Sequence, residues 1–262
     1  MRRRRPDGSI GWWILVACLA AGSAGADEFR IATEVYVGEA NEPAVETITL
    51  FAGGLVYDFL QYDHEGVHRE EFTIFDLQHN RIVLLDPQRR VQTTLTPDFV
   101  MDFVAQMKAR LHESGRAEFA DPKFELHYDG ETRQLVLKND RIKYEVKGMR
   151  PKTQESFRQY VEFADWCARV NALRPGNSPP FARLRINAEL ADRNWLPTEV
   201  VRTIYYRRGL RRREYVVRTR HRASWVLSQS DRRRIDRAGT AMASYDSVPY
   251  VDYFRLRQAS KP

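Results

Sequence analysis

Residues 71–97 read EFTIFDLQHNRIVLLDPQRRVQTTLTP, and their pattern decides the fold class. Runs rich in β-branched, aromatic and aliphatic residues at 71–75, 81–85 and 91–95 are separated by turn chemistry at 78–80 and at Asp86-Pro87. Links this short join antiparallel neighbours, because a parallel pairing needs a crossover of about a dozen residues or more. Thr96 then supplies a helix cap and Pro97 a first helical residue, and Phe99, Val100, Phe103, Val104, Met107 and Leu111 recur at helical spacing. A sheet followed by a one-sided helix places that helix on the sheet.

The same texture extends in both directions. Upstream, 29–37, 45–51 and 55–62 read as strands broken at Gly53-Gly54 and at 63–66, so the first 95 residues form a six-stranded meander. Downstream, Phe124, Leu126 and Tyr128 alternate with polar residues, 135–137 returns, and Ile142, Tyr144 and Val146 alternate again. The longest helix is expected over 153–173, with Glu155, Arg158, Glu162, Asp165 and Arg169 as a narrow polar stripe and apolar residues around the rest. A Pro/Gly/Ser break at 175–180, a shorter helix at 181–192, a hairpin from 197–206 and 214–220, and a surface helix at 228–237 complete the reading. The expectation is an α+β fold, a curved antiparallel sheet with two or three helices packed on one face. No linker-like stretch divides it, so 27–262 is expected to form a single domain with an Arg-rich C-terminal part at 201–262.

Residues 1–26 read as an address. Arg2 to Arg5 make a basic start, 10–21 an apolar stretch too short to span a bilayer, and Ala24-Gly25-Ala26 a cleavage site. The mature chain is expected to be exported to the periplasm or beyond and to be soluble. The competing reading is a lipoprotein, through a lipobox-like Leu15-Val16-Ala17-Cys18. Cleavage after Ala26 leaves Cys167 as the single thiol, expected as a small buried hydrophobe. The 262 residues carry 42 Lys+Arg against 35 Asp+Glu with 43% hydrophobic residues, which excludes a disordered chain. The basic excess is C-terminal, concentrated at 207–213 and at Arg232-Arg233-Arg234. Such clusters suit an anionic envelope polymer or membrane surface, and export makes nucleic acid an unsuitable partner.

His64-Glu65-Gly66-Val67-His68 matches the H-E-x-x-H pattern of zinc hydrolases. That chemistry needs both imidazoles on one helix face, whereas Gly66 and the strand texture on either side point to a hairpin turn. A zinc hydrolase through His64, Glu65 and His68 is therefore a minor alternative, and no metal, cofactor or catalytic residue is expected. No nucleophile elbow or glycine-rich phosphate loop is present.

The order of segments resembles the periplasmic lipoprotein-carrier (LolA-like) fold, a curved half-barrel with helices across its concave face. Phe72-Thr73-Ile74-Phe75-Asp76, 82–85, Asp86-Pro87, Val91-Gln92-Thr93 and the helix from Pro97 carry the resemblance, over about half of the mature chain. It implies a non-catalytic envelope protein that holds a lipid or other apolar ligand between sheet and helices. The chain differs in starting with a strand, in the section at 175–192 and in its Arg-rich end, and no individual binding residue is carried over. The alternative from charge alone is a structural or interaction protein of the envelope that works through its basic C-terminal surface.

Overall fold

A computed structural model describes residues 27–64, 66–208 and 211–259; the side chains of 64, 207, 208, 211, 212 and 256–259 lie outside the description. The address segment, with Cys18 and Ala26, also lies outside the described residues.

Strands β1 (Phe29–Val37), β2 (Val45–Ala52), β3 (Leu55–His64), β4 (Val67–Asp76), β5 (Arg81–Asp86) and β6 (Val91–Leu95) form the expected meander. After α1 (Pro97–Glu113) and the short α2 (Ala117–Ala120), a second meander begins with β7 (Glu125–Asp129), β8 (Gln134–Lys138) and β9 (Ile142–Met149). It is interrupted by α3 (Gln154–Ala172) and α4 (Phe181–Asp192), then continues through β10 (Leu196–Arg208) and β11 (Arg211–Ser224). The chain ends with α5 (Gln229–Ser244), β12 (Asp246–Ser247) and α6 (Tyr250–Ala259).

The strands make one open, curved sheet in the order β12-β6-β5-β4-β3-β2-β1-β11-β10-β9-β8-β7. Every pair is antiparallel except the two-residue contact of β12 with β6. The two meanders meet where β1 pairs with β11, Arg30 opposite Ser224 through Val37 opposite Val217. Both strands of the basic hairpin are longer than expected, because its arginines continue the ladder as far as Arg208 opposite Arg211.

Alternation along the strands assigns each side chain to one of two faces. The inner face packs α3 and α6 against Phe29, Phe51, Phe75, Ile82 and Leu95. Further along that face, Ile186 and Leu190 of α4 cover Leu135, Leu137, Tyr144 and Val146. The outer face carries α5, whose Ala238 and Ala241 lie on Leu50, Phe59, Phe72, Ile74 and Leu85. Helices thus occupy both faces of the first meander, which is why β4 and β5 are apolar at consecutive positions as well as at alternating ones.

Caps fix the helix entries. Thr96 Oγ1 accepts from the Phe99 amide at 3.2 Å. Thr153 with Ser156, and Ser228 with Asp231, form reciprocal capping boxes at the starts of α3 and α5. Asp231 is fully buried; burial raises its pKa, but bonds from Ser228 and the charges of Arg30 and Arg234 outweigh that and hold the carboxyl below its ordinary value.

Candidate functional site

Register arranges the inner face into rows across the strands. The first row is Phe29, Phe51, Val56, Phe75, Ile82 and Leu95. Phe163 of α3 stands on it, with ring centroids 5.5 Å from Phe51 and 5.4 Å from Phe75, both edge-on. One row on, the sequence becomes Ile31, Thr49, Asp58 and Thr73, and the next is His221, Thr33, Thr47, Leu60 and Glu71. The row beyond is Val35, Val45, Tyr62 and Arg69.

The helix changes character in step with the sheet. Past Phe163 the side chains that face these rows are Ala164, Cys167, Ala168 and Asn171, too short to fill the space. A cleft of about 1,000 Å³ results, bounded by the sheet, α3, Arg183 of α4 and the 175–180 segment. That volume lies at the upper end of the range of small-molecule sites, roughly 300–1,000 Å³.

The polar groups of the cleft are organised. Thr49 Oγ1 donates to Asp58 Oδ1 at 2.7 Å. Burial pushes the Asp58 carboxyl up to about 6, although Thr49 and the charge of Arg174 act in the opposite sense. His221 lies between two hydroxyls, Thr33 Oγ1 at 3.0 Å from Nδ1 and Thr219 Oγ1 at 3.0 Å from Nε2. Burial, followed by the charge of Arg183, lowers His221 to about 3, so the ring is neutral at ordinary pH. Cys167 accepts from Asn171 Nδ2 at 3.3 Å, and burial first, then the nearby Asp58, push its thiol up to about 12. A thiol in that state is an inert wall group. It faces the cleft and is partly accessible, where the sequence had pointed to a packed core position.

Glu71 is the best anchored acid. Arg174 Nη1 lies 2.5 Å from its Oε2, and Tyr62 Oη donates to its Oε1 at 2.8 Å. Burial works against the charge on Arg174, but Glu71 outweighs burial and the guanidinium pKa is raised. Asp86 and Arg89, 2.8 Å apart, make a second pair in the lining.

No family model and no curated protein sequence matches the chain. Among solved structures it is similar to a porin-like protein from Bacteroides uniformis, at 8% identity and a TM-score of 0.28, over 76% of this chain and 97% of that one. A likeness that loose says nothing about what this chain does, and it is not specific to the lipoprotein carriers.

The residues singled out in the sequence fall elsewhere. His64 ends β3 and His68 lies on β4, with Gly66 between them at φ 75° in the turn. Glu65 lies outside the described residues; His64 and His68 stand on facing strands rather than on one helix face, and His68 Nδ1 sits 3.1 Å from Asp63 on the facing strand. Nor are the C-terminal arginines a uniform cationic face. Arg222 pairs with Glu34, Arg232 with Glu28 at 2.7 Å and Arg237 with Glu70 at 2.7 Å. Part of the charge asymmetry along the sequence is thus complementarity between the chain's two halves. Asp165, read as part of the narrow polar stripe, accepts from Asn187 at 2.9 Å and ties α3 to α4.

Proposed function

We propose that the chain is an exported envelope protein that binds an amphipathic ligand, a lipid or lipid-linked molecule, without transforming it. The observation that carries the reading is the cleft, where aliphatic Val35, Val45 and Leu60 lie beside the hydroxyls of Thr33, Thr47 and Thr49. Such a wall suits a molecule with both apolar and hydrogen-bonding parts. The state of its ionisable groups favours holding over chemistry. His221 is neutral between hydroxyls, Cys167 keeps its proton, and Glu71 is engaged by Arg174 and Tyr62. Export rests on the basic start, apolar stretch and Ala24-Gly25-Ala26 site.

Native mass spectrometry of protein isolated from the envelope tests this directly. The expected result is a retained small molecule, extractable into organic solvent and depleted in an Ala168→Trp variant whose indole would project into the cleft. Protein that is empty as isolated and takes up nothing from a lipid extract would overturn the reading.

A further inference from the structure

We propose that the cleft recognises its ligand by an anionic head, a carboxylate or phosphate, set among Arg183, Arg202 and the threonine hydroxyls. The inference rests on the reading of the cleft as an amphiphile site and adds the charge of the head. Its starting point is the balance of fixed charge in the lining. Five arginines, at 69, 89, 174, 183 and 202, face three carboxylates, at 58, 71 and 86. With His221 and Cys167 both uncharged, the lining is net cationic even when Asp58 is ionised.

Two of the carboxylates are already committed. Glu71 is held by Arg174 at 2.5 Å and Asp86 by Arg89 at 2.8 Å. Arg69, Arg183 and Arg202 have no carboxylate partner among the described residues. Arg183 is instead oriented by a neutral acceptor, since its Nε donates to Asn187 Oδ1 at 3.0 Å, and Asn187 in turn donates to Asp165. That arrangement fixes the guanidinium and leaves its charge uncompensated.

What sets these arginines apart is their half-buried position in the cleft wall. At the start and middle of α5 and across β1 and β11, arginines meet carboxylates, as in Arg30 with Asp231, Arg237 with Glu70 and Arg222 with Glu34. Arginines without a carboxylate among the described residues also lie elsewhere, as at Arg110, Arg116, Arg141 and Arg233, but those are exposed, whereas Arg69, Arg183 and Arg202 are half-buried in the cleft wall. In the cleft, partial burial strengthens a charge-assisted bond to an anion, and guanidinium groups suit the planar or tetrahedral oxygens of carboxylate and phosphate. Threonine hydroxyls supply further donors, and Val35, Val45 and Leu60 leave room for an alkyl chain alongside.

The test compares four single-chain probes by calorimetry on delipidated full-length mature protein: dodecanoate, dodecyl phosphate, dodecanol and dodecyltrimethylammonium. At least one of the two anions should bind about tenfold or more tighter than the alcohol, the order expected of one desolvated charge-assisted contact, and the cation most weakly. The arm that binds better identifies the head as carboxylate or phosphate. In the Arg183→Gln/Arg202→Gln variant the ratio of anion to alcohol affinity should fall about tenfold, whereas the surface variant Arg158→Gln should keep it. Thermal melts establish that both variants fold; if the double variant does not, Arg202→Gln alone is read in its place. Equal binding of alcohol and anions, or an unchanged ratio in the double variant, would overturn the anionic head and leave the amphiphile site standing. Binding of none of the four would overturn both.

Discussion

The two ends of the inner sheet face, built by the same strands, behave as different materials. At one end Phe29, Phe51 and Phe75 are met by Phe163 and Phe157 in a packed aromatic cluster, of which Phe75 and Phe163 also form the edge of the cleft. Two rows along, Thr33 and Thr47 are met by Ala164 and Cys167, and a cleft remains. Strand parity is identical in both, so alternation alone does not distinguish a core from a site. The difference lies in the size of the side chains that α3 lowers onto the sheet and in the polarity of what they meet.

Substitutions at each end should separate the two. Phe163→Ala should be the most damaging, costing about 3–5 kcal/mol in a denaturant melt, because it removes the ring that joins Phe51 and Phe75. A loss below about 1 kcal/mol there would mean that the phenylalanine end is as loosely filled as the cleft. Glu71→Ala comes next, at about 3 kcal/mol, because it strands the buried guanidinium of Arg174. The double change of Glu71 and Arg174 to apolar residues should recover most of that loss, and failure to recover it would assign the damage to strand packing.

Asp58 and His221 sharpen the comparison through pH. Asp58 has a folded pKa of about 6 against an ordinary 3.8, so the fold prefers its proton. Its contribution is fully present below 3.8 and is lost as pH rises through about 6. Asp58→Asn, which keeps an acceptor for Thr49, should therefore stabilise the protein at pH 8, by about 1–2 kcal/mol once the partial access of the cleft to water is allowed for. His221 acts in reverse. Its folded pKa of about 3 lies below an ordinary 6.5, so its contribution is present above 6.5 and is lost as pH falls towards 3. Between about pH 6 and 4 the two slopes oppose each other. The parent should vary little with pH in that window, His221→Gln should gain stability on acidification and Asp58→Asn should lose it. Parallel curves for all three proteins would refute the opposition. The smallest effect belongs to Arg158→Glu, on the exposed edge of α3 where Arg158 is 70% exposed beside Glu155, and should stay within about 0.5 kcal/mol.

Local chemistry made most of the elements legible. Asp-Pro and Gly-Gly turns, the Thr96-Pro97 start and the alternation at 142–146 appear in the structure where the sequence places them. Strand ends were harder to place, because His68, Arg69 and Glu70 are polar and carry no sign that β4 already runs through them. The small residues at 238–244 likewise disguised the last turns of α5. The pairing of β1 with β11 has no local signature at all, since it depends on which edges remain open once each meander has formed. The site was legible only in retrospect. Thr33 shares the parity of Phe29 and Ile31, and Thr47 and Thr49 share that of Phe51, so hydroxyls at inward positions were the available signal. Asp58 and His221 become part of it only through the register that brings them to the same face.

That late pairing also governs how the molecule is made. The strands β1 to β6 can zip together by short loops as soon as they are available, but β1 then presents an open edge with no partner until β11, well over a hundred residues beyond β1, is in place. Closure must await a hairpin from the far end, and the search over so long a loop makes its docking the slow event of folding. Until it arrives, the row from Arg30 to Val37 is a template for any extended segment, including the same strand of a second molecule. A chain cut short before β10 would leave that edge unpaired, so the arginine-rich hairpin is the piece that shuts the molecule against its own kind.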